Sequence, residues 1–557
     1  MGRPDPYRFS SSTGSPSSTS RRRFLSTAGE VGAAGVAAGV FGLPFLQGTK
    51  AVQAAAEEPD DRQRVNQAFQ ARHKAALYQK ELPLPDHSDN NDDDLYQNKI
   101  GSYSKGLPHN QLGEVDILAY SELTRALQTS NPDDFDRIPK GGAVKQVNPQ
   151  AALAFVLEGP DSHHLGMVAP PAFSSAQTAG EMVELYWQAL TRDVPFSEYD
   201  SYPLTAAAAV DLSKLSDFHG PKESGQVTPA TLFRGKTAGD LVGPYISQFL
   251  WKNVPYGATP IVQRILTTSP RVDYLTSYSD WLAVQNGAAT GQGQIDPTPR
   301  YVRNNRDLAE YVHRDFTYQL FLNACLILLG FGAAALDEGN PYLNSPVQAG
   351  FCTFGGPHIL DIVAKAANYA LIAAWYQKWM VHRRLRPEEF GGRVHNHQTG
   401  SANYPLHPDV LNSSALDAVL SRHGTSLLPI AYAEGCPTHP AYPAGHAVIA
   451  GACTTVLKAF FNESFVIPDT IQANEDGLSL TAYTRSDLTV GGELDKLASN
   501  VAIGRDAAAV HWRSDGIEGL KLGETVTIGL LTDMKGCYNE RNNIFSLIKF
   551  DGTAITI

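Results

Sequence analysis

The chain has 557 residues, 43% of them hydrophobic and 18% charged, so it can bury a large core and has the length of roughly two to four domains. Its formal net charge is −12; residues 1–56 hold six basic and two acidic groups, which leaves 39 against 55, or −16, in the remainder. Such an acidic surface excludes nucleic acid and anionic membranes as partners. Five cysteines are too few for a disulfide-dependent scaffold, and their spacing fits no zinc site.

In chain order, Ser20-Arg21-Arg22-Arg23-Phe24-Leu25 precedes a weakly apolar run at 31–46 and then Ala51-Val52-Gln53-Ala54-Ala55-Ala56. Paired arginines, a short apolar run and small residues at a cut site make a twin-arginine export signal, 1–56. A membrane anchor fits less well, because the run is about sixteen residues long and glycine-rich where a spanning helix needs about 20. Cleavage after Ala54 or Ala56 predicts an exported bacterial protein, periplasmic or extracellular, with no membrane anchor in the mature form. Residues 57–113 are polar and mixed, and are expected to form an arm that packs on another subunit. Within them, DHSDNNDDD at 86–94 reads as a solvated acidic loop; it lacks the glycine and terminal glutamate of a calcium-binding EF-hand.

From Asp116 onward apolar residues recur at helical spacing, most firmly over 180–194, 236–251, 276–285, 307–336, 359–382, 408–421 and 444–461. Strand-like alternation is confined to the tail, 548–557. No fixed repeat appears and no linker divides the chain, so 114–557 is expected to be one large, mainly α domain built as a helical bundle.

Three stretches carry chemistry. Lys378 and Arg386 stand eight residues apart near the end of the apolar segment 359–379, and on one helix they would lie about 12 Å apart and about 80° round the axis. Two long cations starting there can converge on one small anion, and Pro387 places Arg386 where the helix ends. In Thr438–Gly451, Pro443 suits a first helical turn, Pro443-Ala444-Gly445-His446; Gly445 admits an atom close to the main chain, the free amides favour an anion, and His446 stands beside it. In Gly504–Asp515, His511 and Asp515 are expected at i and i+4 on one helix face, so that the carboxylate fixes the imidazole tautomer. His395, His397 and His407 fall in what reads as a polar loop with no carboxylate at a metal-ligand spacing.

Lysine, Arg-Pro, Gly-His, arginine and a second histidine in this order resemble the signature of the vanadium-dependent haloperoxidases. That family shares its helical fold and site with the acid phosphatases of the type 2 phosphatidic acid phosphatase superfamily. The likeness is closest to the algal and bacterial bromoperoxidase branch: Lys378 lies eight residues before Arg386, His439 seven before His446, and Arg505 six before His511. Thr231-Leu232-Phe233-Arg234-Gly235, the segment 240–249 and Trp281-Leu282-Ala283-Val284-Gln285-Asn286-Gly287 are also similar to that branch. The resemblance implies a helical-bundle haloperoxidase/acid-phosphatase fold with minor β structure.

It also implies roles. Vanadate would be held by His511, the single protein ligand to the metal, with Lys378, Arg386, Arg505, the Gly445 amide and residue 444 around its oxygens. The family usually has serine where this chain has Ala444, and that hydroxyl donates to an equatorial oxygen. His446 is the acid/base group, and Lys378 polarises the O–O bond of hydrogen peroxide so that bromide or iodide attacks one oxygen and leaves as hypohalous acid, which halogenates small organic acceptors. Trp375 borders the halide path or packs in the core; His439 favours bromide and iodide over chloride; Asp315 could pair with Arg505; Asp515 holds His511. Related enzymes are dimers or larger shells, so a homo-oligomer is expected. The alternative is a vanadate-free acid phosphatase with His511 as nucleophile and His446 as general acid.

Overall fold

A computed structural model describes residues 61–541 and 543–557; the export signal expected at 1–56 lies outside them. The helices that position the site are α1 (Ala176–Thr191), α2 (Asn305–Arg314), α3 (Gln319–Gly330), α4 (Gly356–Tyr376), α5 (Pro387–Gln398), α6 (Gly445–Phe460), α7 (Val490–Ala507) and α8 (Arg513–Lys535). Side-chain oxygens start three of them: Ser175 accepts from the Thr178 amide, Asn304 from Asp307 and Thr489 from Gly492. The strands among the described residues form three antiparallel two-stranded hairpins: β1–β2 (Val254–Tyr256 with Thr259–Ile261), β3–β4 (Ile471–Ala473 with Leu480–Ala482) and β5–β6 (Ser546–Ile548 with Ala554–Thr556).

Helix α6 is the axis of the bundle, and every residue in it but His446 is buried. It packs most extensively on α8, then on α4 and α7. Glycines allow the contact with α8 to be backbone on backbone: a Cβ at Gly451 would lie 2.0 Å from the Leu520 carbonyl oxygen, and one at Gly523 2.0 Å from that of Val448. That close approach brings the N-terminus of α6 beside the N-terminus of α8. Complete burial of Val448, Val456 and Leu457 stabilises the arrangement by about 1.5–3 kcal/mol per side chain.

Residues Gln67–Ile557 cluster as one unit. Part of the stretch expected to be an arm lies inside it: Tyr103 and Leu107 are fully buried, and Lys105 pairs with Glu388 at 2.9 Å.

Several helical expectations are corrected. The segment 236–251 is irregular, with only a 3-10 turn at Gln248–Leu250. Gly239 there rests directly on Gly492, Gly243 takes φ +71°, and Pro244 has no amide to donate. The segment 307–336 is two helices, because Asp315 leaves α2 in an extended conformation, φ −62° and ψ 148°. The segment 408–421 likewise divides into Pro408–Leu411 and Ser414–His423, the second capped by Ser413. His395 and His397 lie on α5 rather than in a loop, and their rings accept from the Ser426 and Tyr404 amides.

Candidate active site

The first element of the site is His511, which precedes α8 instead of lying within it; Trp512 is the N-cap and Asp515 the third residue of the helix. The expected pair therefore forms by capping geometry. Asp515 Oδ2 accepts from the Trp512 amide at 3.0 Å and from His511 Nδ1 at 2.9 Å. On its other side His511 Nε2 is 2.9 Å from Arg386 Nη1. A guanidinium only donates and a carboxylate accepts, so the proton sits on Nδ1 and the Nε2 lone pair points into the site. Burial holds the His511 pKa well below its ordinary value, and the Arg386, Lys378 and Arg505 charges add to the effect. The imidazole is neutral and able to act as a ligand.

Lys378 and Arg386 do not share a helix. After α4 the chain makes a π-helical turn, Gln377–His382, breaks at Arg383 with φ 39°, and enters α5 with Arg386 as N-cap. Lys378 donates to the carbonyls of Pro440 and Ala441 at 2.7 and 2.8 Å, which leaves one of its three N–H bonds. Arg386 donates through Nε to the His439 carbonyl at 2.9 Å, through Nη1 to Val510 at 2.8 Å as well as to His511, and through Nη2 to His439 Nδ1 at 2.9 Å. Arg505, from the last turn of α7, donates through Nη1 to the Val312 carbonyl at 2.6 Å and lies 5.5 Å from the Tyr432 ring.

All three cations are at least 96% buried, and none is ion-paired with a carboxylate among the described residues. Burial lowers the Lys378 pKa well below its ordinary value, with Arg386 next in effect, and burial also lowers that of Arg386. Buried charge is normally compensated. Asp515 acts on Lys378 and Arg386 without touching either, so the three cations are left with donors suited to an external anion.

The anion's cradle is the start of α6. The helix begins at Gly445 with Ala444 as N-cap and Tyr442–Pro443 in cis, so Pro443 and Ala444 lie outside the expected first turn. No side chain caps it. Its leading amides, which have no partner within a helix, stay available together with the positive end of its dipole. A Cβ at Gly445 would sit 3.3 Å from Trp375 and 4.0 Å from Lys378 Cε, so that side chain would fill the space beside the lysine.

His446 is the partly exposed member of the cluster, and its Nε2 is 3.0 Å from Asp315 Oδ1. Asp315 was expected to pair with Arg505; its extended conformation at the end of α2 turns it to His446 instead. Trp375 closes one side: its ring is 4.9 Å from that of His439 and 6.0 Å from Lys378 Nζ, while its indole N–H donates to the Val147 carbonyl at 3.1 Å. Lys378, Arg386, His439 and His511 thus share one buried cluster, with the starts of α6 and α8 beside it.

Several supporting residues escape a reading of spacing alone. Arg384 donates to Asp515 Oδ1 at 2.7 Å, to Ser514 Oγ at 2.8 Å and to Glu181 on α1 at 3.1 Å, and so fixes the carboxylate that fixes His511. Glu389 accepts from the Arg386 amide at 2.8 Å and the Ser104 amide at 2.9 Å. A glutamate three residues into a helix is a capping signal readable in the sequence; the partners from α1 and from Ser104 carry no local signal.

A tetrahedral oxyanion fits this donor set. Arg505 Nε is buried without a hydrogen-bond partner, Lys378 retains a free N–H, and the α6 amides are uncapped. Those donors suit oxygens, and the Nε2 lone pair of His511 suits a metal at their centre. Fold and site together define a helical-bundle enzyme built around a buried pocket for an oxyanion.

Comparison with known proteins specifies the family. Residues 358–539 match the family model described as the VCPO second helical-bundle domain. The chain is 35% identical to the vanadium-dependent bromoperoxidase of Corallina pilulifera, covering 85% of this chain and 92% of that protein. It is 35% identical to that of Ascophyllum nodosum, covering 82% and 86%. Among solved structures, the homohexameric second vanadate-dependent bromoperoxidase of Ascophyllum nodosum matches with a TM-score of 0.86 at 30% identity, covering 94% of this chain and 95% of that one. The chain belongs to the vanadium-dependent bromoperoxidase family.

Proposed function

We propose that the protein binds vanadate and uses hydrogen peroxide to oxidise bromide or iodide to hypohalous acid, which then halogenates small organic acceptors. The observation that carries this is the buried trio Lys378, Arg386 and Arg505, none of them ion-paired with a carboxylate among the described residues, near the Nε2 lone pair of His511. The named activity of the relatives supports the halide chemistry and leaves the phosphatase alternative without support.

When bound, vanadate supplies the Lewis acidity that activates peroxide toward halide. The chain's own residues do the rest. His511 would hold the metal through Nε2, the nitrogen that now faces Arg386 Nη1. Lys378, Arg386 and Arg505 would hold the oxyanion's negative oxygens and stabilise their charge. His446, oriented by Asp315, would hold and move the proton that peroxide gives up, as general acid–base catalysis requires. Lys378 donates to the peroxide and weakens its O–O bond. The sum is H2O2 + X⁻ + H⁺ giving HOX + H2O. Trp375 and His439 border the path of the halide.

Export through the twin-arginine route is part of the same proposal, supported by the Ser20–Leu25 motif and the small residues before Glu57. Assembly as a homo-oligomer is supported by the homohexameric relative. Light scattering of the purified protein and fractionation of cells carrying Arg22→Lys with Arg23→Lys test these two points.

The central test reconstitutes the apo protein with orthovanadate and follows bromination of a phenolic dye beside hydrolysis of an aryl phosphate. Vanadate-dependent bromination that disappears in His511→Ala is expected. Hydrolysis without vanadate, or bromination that survives the substitution, would overturn the assignment.

A further inference from the structure

A second cavity lies between α7 and α8. It has a volume of about 240 Å³, and its walls include Ile503 and Asp506 from α7, Ile517 and Leu520 from α8, Phe550 from the tail and Lys236. A cavity of about 150 Å³ lined by such side chains is enough to hold benzene. This one has room for a single ring carrying a small substituent.

Its polar end is unusual. Asp506 is 2% exposed and its Oδ1 has no hydrogen-bond partner. Burial raises the Asp506 pKa well above the ordinary carboxyl value against the opposing Arg513 charge, which favours the protonated form, whose O–H can donate. The neighbouring residue Arg505 turns the other way, to Val312 and Tyr432, so the function described above makes no use of Asp506. Lys236 stands exposed at the cavity, its pKa held below the ordinary lysine value by partial burial and then by Arg513 and Lys222. Arg513 is already paired with Glu184. The mouth therefore has local cationic excess in a chain whose formal charge is −12. An apolar slot, a buried carboxyl whose protonation burial favours and an exposed ammonium at the mouth are three parts that suit an arene bearing a carboxylate: the ring fills the slot, one oxygen accepts from Asp506, and the charge meets Lys236.

We propose that this cavity is a binding site for a small aromatic carboxylate of the benzoate class, separate from the vanadate site.

The test is calorimetric titration of vanadate-saturated protein with benzoate, so that the oxyanion site is already filled. One benzoate per chain is expected. Ile517→Trp, which fills the slot from a half-buried position, should weaken binding at least about tenfold while leaving the bromination rate unchanged. Lys236→Met should weaken benzoate by a similar factor but leave the neutral analogue benzyl alcohol unaffected. The proposal is overturned if benzoate gives no binding heat at ~10 mM, or if Ile517→Trp binds it as the parent does. It is equally overturned if Lys236→Met weakens benzoate and benzyl alcohol alike. Should Ile517→Trp fail to fold, the benzoate and benzyl alcohol comparison in Lys236→Met still decides.

Discussion

Arg386 donates through Nη1 to Nε2 of His511 at 2.9 Å, occupying the lone pair that ligation of vanadium requires. The histidine is therefore preset in the ligating tautomer, with Asp515 on Nδ1, while the guanidinium holds its place until an oxyanion draws the cation away. Binding exchanges one bond of Arg386 to a neutral acceptor for bonds to an anion, which add charge–charge attraction.

The tautomer depends on Asp515, and Asp515 depends on Arg384. Asp515→Ala is expected to lower stability by about 3 kcal/mol, since it removes a charged partner of buried Arg384 and the acceptor for two N–H groups. Asp515→Asn keeps an acceptor oxygen and should cost less than half as much. Thermal unfolding of the apo proteins checks the order, and vanadate titration of the same pair should show looser binding in both.

Lys378 predicts a pH limb. Its pKa lies well below the ordinary 10.5 because of burial and the Arg386 charge, so the apo protein loses this cation at a correspondingly lower pH. The ammonium is present below that pKa and absent above it, so oxyanion affinity should fall as pH rises through it. In Lys378→Met the affinity should be lower throughout, with that limb missing. Vanadate dissociation constants measured as a function of pH check it.

Ala444 leaves the start of α6 uncapped. Ala444→Ser should add about 1 kcal/mol of stability by accepting from a first-turn amide. Its O–H can donate to the anion, a bond of about 1.5–3 kcal/mol that corresponds to roughly ten- to a hundredfold tighter vanadate binding. An unchanged dissociation constant would mean that the backbone amides already satisfy that oxygen.

Asp315 orients His446 without belonging to the cationic nest. Asp315→Ala should reduce kcat for bromide oxidation about 10- to 100-fold, part of the usual contribution of a positioned acid–base group. Vanadate affinity should change by less than about threefold, because none of the three cations bonds this carboxylate. Steady-state kinetics and titration of one preparation separate the two effects.

The sequence by itself determined the components and much of their local order. The apolar run of α6 admits only a buried helix, Gly445-His446 falls at its start, and His511 and Asp515 are close enough along the chain to meet by either helical spacing or capping. What it misplaced were points where a turn replaces a helix: the segment at Gly239 and Pro244, the exit of α2 at Asp315, and the π turn that separates Lys378 from Arg386. Only the tertiary structure decided that Asp315 faces His446 rather than Arg505, that Glu181 and Arg384 stand behind Asp515, and that Ser104 reaches Glu389. The physical reason is that periodicity fixes which residues share a face of one element. Partners between elements are set by how closely those faces approach, and here the approach of α6 to α8 turns on the absence of a Cβ at Gly451 and Gly523.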